Sequence, residues 1–195
     1  VALGRPDRLR PERLVRSGAA AGSLRGQTPQ RKCNSGVYPL GGELRFALGG
    51  EGHRFLGAGW WFPEPHGVWS RSGRATVVLP LAAVSAPDES LWLDLLIHAP
   101  LGPGRPSAAV RVVVNDRSVA RATLTGPGGI GHELRARVPA AALRGRTVAE
   151  VALIVDRTMA PADARLNTDV RQLGIGLVAL RLGTEDAREP LIATG

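Results

Sequence analysis

The sequence predicts an all-β fold, an antiparallel two-sheet β-sandwich with jelly-roll-like connections. Three observations point there. After Gly41-Gly42 the chain divides into about nine short β-prone runs separated by Gly and Pro, at the spacing of sandwiches and barrels. Several runs alternate apolar and polar residues with a period of two, as strands with one buried face do. No long stretch carries the broad apolar face of a packed helix, so a second sheet must cover the apolar side of the first.

Each element follows from its own pattern. Residues 43–48 place Leu44, Phe46 and Leu48 on one side and Glu43, Arg45 and Ala47 on the other. Residues 74–81 form a β-branched run closed by Pro80. Residues 91–98 put Leu91, Leu93, Leu95 and Ile97 on one face, with Trp92, Asp94, Leu96 and His98 opposite. That composition predicts a strand buried on one side and partly covered on the other. Residues 109–114 gather Val110, Val112 and Val114, and Asn115-Asp116 then supplies two residues that tolerate positive φ in a tight hairpin. Residues 118–124 return as the partner strand. The glycines at 126, 128 and 129 predict a loop, and residues 132–138, 147–155 and 175–182 complete the set. The longer connection 156–173 is expected to cross between sheets and to hold a short helical turn.

The domain plan is a basic linker or peripheral tail over 1–41, the sandwich over 42–184, and a C-terminal tail over 185–195. The formal charge of +8 is concentrated in the first of these. Eight basic residues stand against two acids before residue 42, and seventeen against fifteen after it. The sandwich itself is therefore nearly balanced, and no recognised motif accompanies the charge, which argues against a nucleic-acid partner. No apolar run reaches the roughly 18 residues of a membrane span. The single cysteine, Cys33, excludes an intrachain disulfide and reads as an incidental linker thiol.

The most distinctive segment runs from Gly59 to Ser70, where Trp60, Trp61 and Trp69 lie together with Phe62. Tryptophan faces stack on the C–H-rich faces of sugar rings as they do on other flat partners. Glu64 and His66, close by, would then orient a ligand through its hydroxyls. The predicted glycan-contacting set is Trp60, Trp61, Glu64, His66 and Trp69. The competing structural reading makes the indoles core plugs, with Pro63 and Pro65 stiffening the loop, because a large aromatic usually buries most of its surface.

Catalytic and metal signatures are missing from the sequence. A glycosidase requires two carboxyl groups about 5–10 Å apart across a cleft, and no spacing pairs Glu64, Asp94 and Glu133. There is no Gly-x-Ser-x-Gly nucleophile motif. His53, His66, His98 and His132 are scattered, without zinc-ligand spacing. The glycines at 49, 50 and 52 precede a strand and read as turns rather than a phosphate loop. Residues 163–169 offer oxygen ligands, but Arg165 opposes a cation, so Asx turns and an Asp169–Arg171 pairing are expected there. Neither a catalytic residue, a cofactor nor a metal is predicted.

The order Gly49-Gly50-Glu51-Gly52, Phe55-Leu56-Gly57-Ala58-Gly59-Trp60, then Pro63-Glu64-Pro65-His66-Gly67-Val68-Trp69-Ser70 resembles a bacterial accessory β-sandwich domain. That domain is found attached to glycosyltransferases and other surface-polysaccharide proteins. The hairpin 112–119 and the closing 169–177 segment are similar too, so the resemblance covers about residues 43–182. Asp116 departs from it, standing where glycine is commoner after the turn Asn. The resemblance implies a non-catalytic, carbohydrate-associated module that contacts glycan through its Trp-rich loop. The alternative is a structural or interaction domain that packs on a partner protein or larger assembly, with the basic N-terminal tail as its anchor. Cytoplasmic or cell-envelope placement in a bacterium fits either.

Overall fold

The computed structural model describes residues 36–82, 89–126, 131–186 and 191. Most of the 1–41 and 185–195 tails, Cys33, and the 126–129 loop beyond Gly126 lie outside the described residues. Among those described, nine strands form two antiparallel sheets. They are β1 (Glu43–Arg45), β2 (Val68–Trp69), β3 (Arg74–Pro80), β4 (Leu91–His98), β5 (Ser107–Val114), β6 (Arg117–Thr125), β7 (His132–Val138), β8 (Val148–Val155) and β9 (Gly176–Gly183). The first sheet runs β1-β9-β4-β7, with β2 also paired to β9, and the second runs β3-β8-β5-β6. This is the two-sheet sandwich that the alternation predicts.

The core lies between the sheets. Leu91, Leu93, Leu95 and Ile97 of β4 are all buried in it, and Val77, Leu79, Val110, Val112, Val151 and Leu153 of the second sheet belong to the same cluster. The outer face of β4 is partly covered, as its composition suggests: Leu96 is buried with Val178, Ala179 and Leu191. Tyr38 also packs into the main core. Its hydroxyl donates to the Gly42 carbonyl and accepts from the Leu182 amide at 2.8 Å, tying the incoming chain to β9.

The β5–β6 hairpin turns at Asn115 and Asp116, with φ of 44° and 69°. Both are left-handed, as a two-residue primed turn requires. Asn115 has a second task. Its amide donates to Ala142 O and Val148 O at 3.0 Å each, and its Oδ1 accepts from Glu150 N at 2.8 Å. The side chain thus pins the turn to β8 and to the short helix α1 (Ala140–Leu143).

Two one-residue bulges re-phase the strands. On β6 the register shifts between Val112↔Ala120 and Val113↔Ser118, leaving Val119 as the extra residue. On β9 it shifts between Leu96↔Ala179 and Ile97↔Leu177, leaving Val178 over. Because strand side chains alternate faces, each extra residue moves everything beyond it to the opposite side.

Three departures from the sequence reading matter. The run expected over 43–48 pairs with β9 only through Arg45, although the Phe46 amide still reaches Val178 O at 2.9 Å. Residues Glu51–Phe55 form a 3-10 helix rather than a simple turn. Part of the Trp-rich segment is itself a strand, β2. β1 takes Ala179, Leu180 and Arg181 of β9, while β2 takes Gly176 and Leu177 of the same strand. Residues 46–67 therefore leave the sheet and return to it further along one strand. The 156–173 connection does cross from β8 in the second sheet to β9 in the first. It holds one helical turn, closed by Ala164 N to Ala160 O at 3.0 Å. Fully buried Arg105 anchors it, its Nη2 donating to Asp156 Oδ1 at 3.1 Å and to Arg157 O at 2.8 Å.

Candidate functional site

The returning segment is a hairpin. Trp60 bridges Ser70, the Trp61 amide donates to Trp69 O at 2.8 Å, and Glu64 and Gly67 exchange backbone hydrogen bonds at 2.7 and 3.2 Å. Pro65 and His66 form its tip. Gly67 is required at the base of the tip, because its φ is 139° and a Cβ there would lie 2.5 Å from Leu177 O of β9.

The predicted contact residues divide. Trp60 is only 8% exposed, and its indole N–H is satisfied by Thr76 O at 2.7 Å. It bridges the hairpin to β3 and belongs to the core, so it presents no face to a ligand. Trp61 and Trp69 are half-buried at opposing positions of the hairpin. The Trp61 indole N–H reaches Gln172 O at 3.3 Å. His66 is exposed at the tip. Phe62, absent from the predicted set, is 76% exposed beside Trp61.

Trp69 sits in one row with Gly176 and His98, on β2, β9 and β4. Rings two strands apart would normally be separated by the side chain between them. Here Gly176 has none, and the Trp69 and His98 ring centroids stand 6.4 Å apart with a 36° tilt. A Cβ on Gly176 would lie 3.2 Å from both His98 Cβ and the indole ring. The Val178 bulge creates this arrangement, turning Leu177 inward to the core and Gly176 outward beneath the rings. His98 Nδ1 accepts from Gly131 N at 2.8 Å, which assigns its neutral-state proton to Nε2. Burial, followed by the nearby His66 and His132, holds its pKa below the usual imidazole value.

Glu64 is held by an arginine that the sequence reading did not assign to it. Arg171 Nη1 donates to Glu64 Oε1 at 2.6 Å, while its Nη2 and Nε grip Asp169 at 2.7 and 3.1 Å. The expected Asp169–Arg171 pair and its Asx turns are therefore present, with Arg171 N on Asp169 Oδ1 and Asp169 N on Asn167 Oδ1. The Arg171 hydrogen bonds are the main reason that the Asp169 pKa lies below the ordinary carboxylate value. Arg171 is pushed upward in turn, by Asp169 first and Glu64 second. This Asp-Arg-Glu bridge clamps the hairpin to the 169–175 segment. Sequence spacing revealed the local half of it, while Glu64 lies 107 residues away from Arg171.

The other carboxylates weighed as catalytic partners lie on β4 and β7. Asp94 pairs with Arg135 at 3.5 Å, and Glu133 stands exposed opposite Leu96. Among the described residues no helix is long and apolar enough to cross a membrane.

No family model matches the sequence, and no curated protein matches it either. Solved structures with similar folds include the CBM36-1 domain of a multidomain xylanase from the hindgut metagenome of Trinervitermes trinervoides. That likeness has 10% identity and a TM-score of 0.37, covering 73% of this chain and 95% of the other. A family 35 carbohydrate binding module from an environmental isolate is similar at 10% identity and a TM-score of 0.34, covering 67% and 77%. A family GH115 4-O-methyl-α-glucuronidase with specificity for decorated arabinogalactans is similar at 10% identity and a TM-score of 0.41. There the match covers 62% of this chain, which spans 14% of the enzyme's length.

Proposed function

We propose that the domain is a non-catalytic, carbohydrate-associated accessory module of a bacterial surface-polysaccharide system, of the kind attached to glycosyltransferases. Its glycan contacts lie on the Trp60–Ser70 hairpin. One observation carries this reading: Trp61 and Trp69 present half-buried indoles at opposing positions of a hairpin held rigid by its backbone and by the Arg171 clamp. Rigid aromatic faces contribute contact area with little loss of conformational entropy on binding. His66, exposed at the tip, and the partly exposed Glu64 supply polar atoms at the edge of the hairpin. The non-catalytic reading is supported by the arginine counter-ions on Glu64 and Asp94.

Titration of cell-surface polysaccharides against tryptophan fluorescence tests the proposal. Binding should shift the emission, and Trp69→Ala should weaken it by about tenfold or more. A folded domain that shows no response across a broad panel of glycans overturns the reading.

A second reading has its own support. Leu48, 72% exposed, gives its amide to Glu64 O, and Val170, 78% exposed, adjoins Arg171. With Phe62 these apolar residues border the same clamp, which suits an interaction domain packing on a partner protein. A stable complex burying more than about 1,000 Å² with Phe62 inside it would favour that alternative.

A further inference from the structure

The outer face of the second sheet carries a feature that the hairpin does not explain. Arg111 of β5 and Arg121 of β6 are direct cross-strand partners, and both are exposed. Like charges placed directly opposite destabilise a sheet. Among the described residues neither arginine has an ion pair or a side-chain hydrogen bond. The same row continues through Ile154 to Arg74, and only Arg74 is neutralised, by Glu150 at 3.0 Å.

The first sheet shows how this protein otherwise arranges such a row. There Glu43, Arg181, Asp94 and Arg135 follow one another across β1, β9, β4 and β7 with alternating sign. The Arg111–Arg121 juxtaposition is also created by a specific device. Without the Val119 bulge the hairpin register would place Ala120, not Arg121, opposite Arg111.

Between and beside the two arginines lies an open, shallow groove of about 550 Å³ on the sheet surface. Ala109, Thr123 and Ile154 also line it, and Asp156 closes one end. The Asp156 charge is answered by buried Arg105, so the groove keeps a positive excess. Two guanidinium forks facing one cleft suit a planar or tetrahedral oxyanion.

We propose that this groove is an anion-binding site on the opposite sheet from the hairpin's, taking a saccharide whose carboxylate or sulfate group bridges Arg111 and Arg121. The saccharide rests on the carbohydrate reading above, whereas the anion chemistry rests on the arginines alone. A nucleic acid fits the groove less well, because no aromatic residue lines it and bases have nothing to stack on.

Calorimetric titration of the full chain tests the site with four probes: oligogalacturonate, a sulfated galactan, a neutral galactan and a single-stranded oligonucleotide. One or both acidic saccharides should bind, and which of them binds identifies the anion. Arg111→Gln and Arg121→Gln should each weaken that binding about tenfold without changing the response to neutral galactan. Both substitutions relieve repulsion, so the thermal midpoint should hold or rise, and lost binding will not reflect unfolding. Failure of both acidic probes, or undiminished binding by the double variant, overturns the site. Oligonucleotide binding that exceeds both saccharides and disappears in the same variants overturns the saccharide assignment. Trp69→Ala is measured alongside. If only neutral binding exists and Trp69→Ala abolishes it, the groove falls and the hairpin reading stands; if acidic binding alone exists and needs the arginines, the reverse holds.

Discussion

Gly176 acts by what it lacks. With no side chain between Trp69 and His98, the two rings lean toward each other across a strand. Gly176→Val forces a branched group into space only 3.2 Å from both. Overpacking of this kind costs about 1–3 kcal/mol, which urea unfolding followed by tryptophan fluorescence will register as a lowered midpoint. Tyr38 offers a second test, because it is the sole tyrosine of the chain. Burial pushes its pKa up to about 12. The unfolded phenol ionises near 10, so between those values the unfolded state has released a proton that the native state retains. Stability should accordingly be unaffected by this group below pH 10 and fall as pH rises from there to about 12. Absorbance at 295 nm should show the phenolate appearing only at the upper end of that window, or together with unfolding.

Among the elements, the β5–β6 hairpin was the most legible, since Asn115-Asp116 announces a turn needing two positive φ values. Its side-chain work was not legible, because the groups that Asn115 bonds lie 27 to 35 residues further on. Asn115→Ala removes three hydrogen bonds and leaves partly buried backbone groups unpaired. The expected loss is about 2–4 kcal/mol, measurable by chemical denaturation, and an unchanged midpoint would contradict the pinning role. The bulges at Val119 and Val178 were invisible for a different reason. Alternation fixes which residues share a face only while the register is unbroken, and nothing local to Val119 or Val178 marks the break. Both candidate sites depend on such a break. Counting outward from the turn would have placed Arg121 opposite Val110, and counting along β9 would have buried Gly176.

For the whole molecule, the alternating runs sufficed to predict two sheets with a core between them, because burying a half-apolar strand has few solutions. They did not divide the aromatic segment between interior and surface. Trp60 and Trp61 are adjacent and chemically identical, yet the Trp60 indole bonds Thr76 on the second sheet and is buried, whereas the Trp61 indole bonds Gln172 and stays half-buried. Charge was read well in total and poorly in placement. A near-neutral domain still sets a complementary row on one sheet and a like-charged pair on the other, since strand pairing rather than composition decides which charges meet.

The position of β9 has a consequence for how the protein is made. This strand is the last of the nine, yet it lies inside its sheet and supports β1, β2 and β4 together. During synthesis β4 can pair with β7 and the second sheet can form beforehand, but β1 and β2 have no partner strand until β9 arrives. A chain cut after Gly174 should therefore lose cooperative unfolding and near-ultraviolet circular dichroism rather than shed a dispensable end. On the ribosome, the indoles of the hairpin would acquire their native surroundings only after residue 183 had left the exit tunnel.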